Sequence, residues 1–187
     1  SVSAALRAMY LPWLEEAARR LQEAAKVTGG LPPLPMESAS GNGTSTCTVF
    51  VDGLRYDVAV QLQQRLSALG NTSLSARWTS LPSVTASGKA WCSPVSAHIV
   101  GTADDTEFEP RVASDGKPLS GYNLRKLLTE HGVQPLDKHE TGDPQGQGWT
   151  EAGDLDHYGH EHRVRLARDM GTQLDQVVER VGELSDA

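Results

Sequence analysis

The feature that most constrains the fold is a short apolar run ending in an aspartate and a glycine, Val49-Phe50-Val51-Asp52-Gly53. An apolar run closed by a turn signal is typical of a strand buried in a parallel sheet. In open sheets of this kind, ligands bind in the crevice at the carboxyl ends of the strands. The sequence therefore predicts that Asp52 lies at a binding edge. A turn aspartate that caps the next helix is the alternative.

The chain before this strand is predicted to form a helical arm and a linker. Apolar residues recur at helical spacing over residues 11–26, and Pro12 suits the first turn of a helix. Residues 31–45 are rich in Pro, Gly and Ser, as linkers are. We therefore predict an arm and linker over residues 1–45 and a main domain over residues 46–187.

Strand and helix patterns alternate along the main domain, which favours an α/β fold with a doubly wound, mostly parallel sheet. Strands are predicted over 46–51, 74–79 and 98–100, and helices over 58–69, 119–131 and from Glu161 onward. Residues 101–118 and 137–154 are predicted to be irregular. A doubly wound sheet normally continues from such a last helix to another strand. We therefore expect this chain to be the first portion of a longer domain, truncated at its carboxyl end.

Composition excludes several classes of function. The formal net charge of -7 disfavours non-specific nucleic-acid binding by the whole chain. Cys47 and Cys92 form no CxxC pair, so neither a disulfide framework nor a thiolate zinc site is expected. No run approaches the roughly 18 apolar residues of a membrane span. These observations favour a cytoplasmic protein with no membrane partner.

A hydroxyl group at the start of a predicted helix is the second candidate for chemistry. Thr85 ends the segment Leu81-Pro82-Ser83-Val84-Thr85. The start of a helix carries a positive dipole end and backbone N–H groups that bind anions. A threonine hydroxyl becomes an effective nucleophile only with a base or a metal ion. Thr85 is therefore either a nucleophile or an ordinary helix cap.

The third candidate is the segment Asp156-His157-Tyr158-Gly159-His160. A spacing of four places Asp156 and His160 on one face of a helix. A carboxylate and an imidazole suit zinc or manganese. A solvated histidine-rich loop is the alternative, because further histidines lie nearby. Three other histidines show no ligand spacing and are interpreted as structural or surface residues: His98, His131 and His139.

In content and order, these three segments resemble the alkaline phosphatase superfamily, where two metal ions bind the phosphoryl oxygens and activate a Ser or Thr alkoxide. The closer resemblance is to the PglZ family and covers residues 46–184. It is carried by Val-Asp-Gly-Leu-Arg-Tyr-Asp at 51–57, Leu-Pro-Ser-Val-Thr-Ala at 81–86 and Asp-His-Tyr-Gly-His-Glu at 156–161. PglZ proteins belong to bacteriophage-exclusion and phage-growth-limitation defence systems.

The resemblance implies specific roles for four residues. Asp52 and Thr85 would face one metal ion, Asp156 and His160 would hold the other, and Thr85 would be the covalent nucleophile. It implies two divalent ions, with zinc favoured and manganese the alternative. The implied partners are a phosphoester substrate, with nucleic acid among the candidates, and other phage-defence proteins. Asp156-His157 can also be matched to the later Asp-His ligand pair of the family.

The chain departs from the family pattern after His162. The remaining ligands of the superfamily, an Asp-His pair and a further His, lie downstream, and no histidine follows His162 here. Because ligand count dominates metal affinity, we expect this chain to bind metal weakly and to be inactive. The parent protein is expected to be a metal-dependent phosphoesterase. The alternatives are a non-catalytic interaction module of a defence complex and a metal-dependent nuclease.

Overall fold

A computed structural model describes residues 2–27, 45–76, 84–101, 109–162 and 165–187. The chain divides into two compact units, residues 1–35 and 36–187. The first unit contains one helix, α1 (Val2–Val27). This helix begins nine residues before the predicted start, because residues 3–9 are mostly good helix formers. Pro12 therefore lies inside α1 rather than in its first turn.

The second unit is built on a sheet of three parallel strands, β1 (Thr46–Phe50), β4 (Val133–Pro135) and β5 (Gln147–Glu151). The strand order is β1-β5-β4, so β5 is central. The register pairs Phe50 with Glu151 and Pro135 with Trp149. The expected α/β class and parallel pairing are confirmed. The expectation of an irregular segment over 137–154 was wrong in part, because residues 147–151 form the central strand, whereas residues 137–146 and 152–154 are irregular.

A second, antiparallel sheet pairs β2 (Ile99–Val100) with β3 (Arg111–Val112). The short strand predicted over 98–100 is thus confirmed at 99–100. The predicted polar loop over 101–118 was wrong in part, because β3 lies within it. Of the strand predicted over 74–79, residues 74–76 are irregular, whereas residues 77–79 lie outside the described ranges.

Five α-helices of the second unit lie within the described ranges, together with a 3-10 helix over Ser96–His98. The α-helices are α2 (Tyr56–Leu66), α3 (Thr85–Cys92), α4 (Gly121–Glu130), α5 (Leu155–His162) and α6 (Leu166–Ser185). The helix predicted over 119–131 is confirmed as α4: the Ser120 hydroxyl accepts a hydrogen bond from the Asn123 amide at 3.2 Å, and Gly132 follows the helix with φ +75°. The helix predicted from Glu161 is confirmed as α6 from Leu166 onward, whereas Glu161 and His162 end α5 and residues 163–164 lie outside the described ranges.

Helices cover both faces of the parallel sheet. Trp149 and Thr150 are consecutive in β5 and therefore point to opposite faces. Trp149 joins a buried apolar cluster that includes three leucines of α4, Leu124, Leu127 and Leu128. The Thr150 hydroxyl lies 3.5 Å from the Arg180 guanidinium of α6. A second buried cluster packs α2 against α6 through Val58, Leu62, Leu174 and Val177.

The connection from β4 to β5, residues 136–146, contains no helix. Side chains instead form hydrogen bonds with some of the backbone amide and carbonyl groups of this connection. The Gln134 carboxamide donates to the Asp143 carbonyl at 3.1 Å and accepts from the Asp143 amide at 2.7 Å. The Arg180 guanidinium donates to the carbonyls of Asp137 and Glu140. This crossover is therefore held in place from both β4 and α6.

Candidate functional site

The carboxyl ends of β1 and β5 bring two of the predicted ligands to the same edge of the sheet. Asp52 follows β1, and Asp156 lies in the first turn of α5, which follows β5. Gly53 has φ +70°, and a Cβ built there would lie 3.1 Å from both the Cα and the amide nitrogen of Asp156. Only glycine fits this conformation and this approach without strain. Gly53 therefore allows the two segments to touch.

The hydroxyl of Thr85 is hydrogen-bonded to Asp52. Thr85 is the first residue of α3, and its Oγ1 donates to Asp52 Oδ1 at 3.2 Å. The same carboxylate oxygen accepts from the Gly53 amide at 2.9 Å. Thr85 is exposed and Asp52 is half-buried, so a substrate can reach both. The resemblance described above had implied that these two residues lie together.

Helix capping does not account for either residue. The cap of α3 is Val84, which makes no side-chain capping bond, and Thr85 is already inside the helix. The cap of α2 is Arg55 rather than Asp52, again with no side-chain capping bond. The hydroxyl and the carboxylate bond to each other instead.

Asp156 and His160 form a second pair, on α5. His160 Nε2 lies 3.6 Å from Asp156 Oδ2, and the two side chains are four residues apart on one helix face. The segment is helical and not the loop of the alternative interpretation. The His160 side chain is nevertheless 79% exposed, and neighbouring His157 lies 3.3 Å from Glu161. The helix presents these side chains to solvent.

The four predicted ligands therefore meet as two pairs along one edge. Their donor atoms, carboxylate and hydroxyl oxygens with one imidazole nitrogen, are those that zinc and manganese accept. Within the described ranges, however, no three His, Cys, Asp or Glu side chains are grouped as metal ligands. The donor chemistry fits the implied ions, whereas each pair by itself supplies fewer ligands than a closed zinc site uses.

Sequence reasoning missed a basic residue at this site. Lys89 lies four residues after Thr85, on the same face of α3. Its ammonium group lies 2.5 Å from the carboxylate of Glu151, the last residue of β5. The spacing from Thr85 was the signal that could have identified it. The edge thus carries an ion pair between Lys89 and Glu151, and its basic partner lies one helical turn from the candidate nucleophile.

Tyr158 fixes α5 against α6. Its hydroxyl donates a hydrogen bond to the Asp169 carboxylate. This hydrogen bond, together with desolvation and the charge of Asp169, raises the pKa of Tyr158 above its ordinary value. The contact positions the helix that carries Asp156 and His160.

No protein-family model, curated protein or solved structure matches the chain. Among the helices in the described part of the chain, none is both long and apolar enough to cross a membrane.

Proposed function

We propose that this chain is part of a metal-dependent phosphoesterase domain of the alkaline phosphatase type, related to the PglZ proteins of phage defence. The observation that carries the proposal is the hydrogen bond from Thr85 to Asp52 at the carboxyl edge of the sheet. A hydroxyl held at a helix start by a carboxylate at a strand end is the arrangement that a phosphoryl-transfer nucleophile needs.

The residues at this edge have complementary roles. Asp52 orients the Thr85 hydroxyl and accepts its proton as the Thr85 oxygen attacks phosphorus. The bond from phosphorus to the alcohol oxygen breaks at the same time, and the alcohol leaves after taking a proton from solvent water. The start of α3 favours the negative phosphoryl group. Asp52 and Thr85 would hold a divalent ion, which would supply positive charge that lowers the pKa of the hydroxyl. Water then hydrolyses the phosphothreonine and restores the free hydroxyl.

Asp156 and His160 are assigned to a second divalent ion. The contact between Gly53 and the Asp156 backbone supports this assignment, because it holds the two pairs on adjacent segments. Two ions that clamp the attacking and leaving oxygens are a common solution for in-line displacement at phosphorus.

The test is hydrolysis of 4-nitrophenyl phosphate by the full-length protein with added zinc or manganese. Thr85→Ala should abolish hydrolysis, whereas Thr85→Ser, which keeps a hydroxyl, should retain part of it. Thr172→Ala is the matched control, because Thr172 is an exposed threonine on α6. Unchanged hydrolysis in Thr85→Ala would show that the nucleophile is assigned wrongly.

The 187-residue chain alone is expected to bind zinc weakly, because its predicted ligands form only two pairs. Calorimetric titration with zinc measures this directly. Sub-micromolar affinity in this chain would contradict the expectation of weak binding and of an incomplete ligand set.

An interaction module within a defence complex is the second candidate function. It is favoured by large exposed apolar side chains on α1: Leu6, Met9, Tyr10, Trp13, Leu14 and Leu21. Exposed apolar patches of this kind often mark protein–protein contacts. If removal of residues 1–27 abolishes complex formation while Thr85→Ala leaves phage resistance intact, the domain is a module rather than an enzyme.

A further inference from the structure

Helix α1 carries a continuous apolar stripe along one face. Its apolar residues recur at intervals of three or four, which places them on one side of a helix. The members of this stripe are Leu6, Tyr10, Trp13, Ala17, Leu21 and Ala24. Its aromatic residues are largely exposed, since Trp13 is 61% exposed and Tyr10 is 57% exposed. Their rings lie 5.4 Å apart and together form an exposed aromatic surface.

The charged residues of α1 pair with one another, away from the stripe. Arg19 contacts Glu16 at 2.6 Å and Glu23 at 2.5 Å, and Arg20 contacts Glu16 at 2.7 Å. These ion pairs join residues three or four apart, so they run along α1 itself. The stripe contains no charged residue, and the surface that covers it must therefore be apolar as well.

Helix α1 needs a packing partner to be stable in water. Pro12 lies inside the helix, where it removes one backbone hydrogen bond and disfavours the helical conformation. Most helical stability in proteins comes from packing of an apolar face rather than from intrinsic propensity. The exposed stripe is the face of α1 that can supply this stability.

The sizes of the side chains change along the stripe. Its amino-terminal half carries the large residues Leu6, Tyr10 and Trp13, whereas its carboxyl-terminal half contains Ala17 and Ala24. Two parallel copies of α1 would place large residues against large ones and alanine against alanine, which leaves voids at the alanines. Two antiparallel copies place the large half of each helix against the small half of the other. Because stable interfaces pack as densely as protein interiors, this pattern favours a second, antiparallel copy.

In the antiparallel arrangement the two stripes match along their length. When Leu6 lies opposite Ala24 of the second copy, Trp13 lies opposite Ala17 of the second copy. The same register aligns the two helices over roughly 36 Å.

The area of the exposed face is sufficient for a stable dimer. Six large apolar side chains of α1 are 45–79% exposed: Leu6, Met9, Tyr10, Trp13, Leu14 and Leu21. With roughly 100 Å² accessible on each, two copies would bury roughly 1,200 Å² in total, which is where stable protein interfaces begin.

We propose that α1 binds α1 of a second copy of this chain in antiparallel orientation, through the stripe centred on Trp13 and Ala17. The proposal does not depend on the phosphoesterase, because none of the four predicted ligands lies on α1. It names the partner of the exposed helix that favours the interaction-module function.

Sedimentation equilibrium of the 187-residue chain tests the association. At micromolar concentration we expect a species of twice the monomer mass of 20.1 kDa. Trp13→Glu introduces a charge at the centre of the stripe, so it should raise the dissociation constant of the dimer at least about tenfold. Tyr122→Glu is the matched control, because Tyr122 is an equally exposed aromatic residue on α4, and it should associate as the unaltered chain does.

Double electron–electron resonance tests the orientation. A nitroxide is attached through Ser3→Cys, in a chain whose free cysteines, Cys47 and Cys92, are replaced by alanine. The antiparallel register places residue 3 opposite residue 27 of the second copy, so the two labels should lie roughly 35–40 Å apart. A parallel pair of helices would bring them within roughly 20 Å.

Three results would each overturn the inference. The first is a monomeric chain at about 50 micromolar, where a dimer of micromolar affinity is mostly formed. The second is unchanged association in Trp13→Glu, or equal weakening in Tyr122→Glu. The third is a distance within roughly 20 Å between the labels, which indicates parallel helices.

The inference and the proposed functions fail in different ways. If the chain is monomeric but removal of residues 1–27 abolishes complex formation, α1 binds another protein and the second copy is refuted. If the chain is an antiparallel dimer and phage resistance requires Thr85, the inference and the enzyme are both supported and the module is refuted. If the dimer forms but hydrolysis survives Thr85→Ala, only the nucleophile is assigned wrongly.

Discussion

Replacement of Gln173 by methionine should stabilise the protein, because it removes a buried polar atom that has no hydrogen-bond partner among the described residues. The carboxamide oxygen of Gln173 is buried and has no hydrogen-bond partner among the described residues. Methionine has a similar length and flexibility and carries no group that needs such a partner. The substitution therefore removes a desolvation cost from the folded state.

The expected magnitude follows from the burial of this side chain. An unpaired buried polar group costs about 1–3 kcal/mol, and Gln173 is only 6% exposed, so most of that cost applies. Glutamine and methionine have similar helix propensities, so α6 itself contributes little. We expect the free energy of unfolding to rise by about 1 kcal/mol or more. For a chain of this size, each kcal/mol corresponds to about 2–4 °C in the unfolding midpoint.

Urea unfolding followed by far-ultraviolet circular dichroism measures the change. The slope against urea should stay constant, which assigns the change to stability rather than to compactness. Gln64→Met is the control and should lie within about 0.5 kcal/mol of the unaltered protein. A loss of stability in Gln173→Met would refute the reasoning, because it would show that the carboxamide is already satisfied.

Two further predictions concern the edge of the sheet. Gly53→Ala should destabilise the fold by at least about 1–2 kcal/mol, because the left-handed backbone disfavours alanine and its Cβ would lie 3.1 Å from the Asp156 backbone. A Cβ at Gly182 on α6 would meet no atom within 4 Å, so Gly182→Ala should instead stabilise the fold by about 0.5–1 kcal/mol. Thermal unfolding measures both variants, and equal effects would contradict this account. Tyr158 has a raised folded pKa, so its contribution to stability is complete below pH about 10 and is lost as the pH rises through the folded pKa. In an ultraviolet titration, one of the four tyrosines should ionise later than the others, and Tyr158→Phe should remove that late step and no other.

The elements with local signals were predictable from the sequence. Strand β1 follows from the apolar run that contains Val49 and Phe50, and α4 follows from its Ser120 cap and the glycine beyond its end. The adjacency of Asp52 and Thr85 was implied by the family resemblance and not by topology, because within the described ranges α3 follows no strand of the parallel sheet directly. The strand and the helix depend on residues close together in the sequence.

Strand β5 could not be predicted, because its burial comes from its neighbours rather than from its own composition. Gln147–Glu151 contains one large apolar residue, Trp149, and lies in a stretch rich in Gly, Asp, Pro and Gln. Parallel strands on both sides and helices on both faces bury it nonetheless. Thr150 is tolerated in this interior because its hydroxyl lies beside the Arg180 guanidinium.

The burial of Gln173 and Arg180 could not be predicted from the sequence either. Gln173 and Arg180 occupy polar positions on an otherwise ordinary amphipathic helix, where solvent exposure is the usual expectation. Both are buried because α6 runs past the carboxyl ends of β4 and β5. Such roles arise from contacts between distant parts of the chain, which neither spacing nor periodicity records.

The hydrogen bonds from Arg180 to the β4–β5 crossover have a consequence for the order of events during synthesis. The carbonyls of Asp137 and Glu140 obtain this donor only from α6, about 40 residues later in the chain. Because translation proceeds from the amino end at roughly 5–20 residues per second, the crossover is synthesised seconds before Arg180. We expect the central strand to mature late and the nascent sheet to rely on chaperones until α6 emerges from the ribosome.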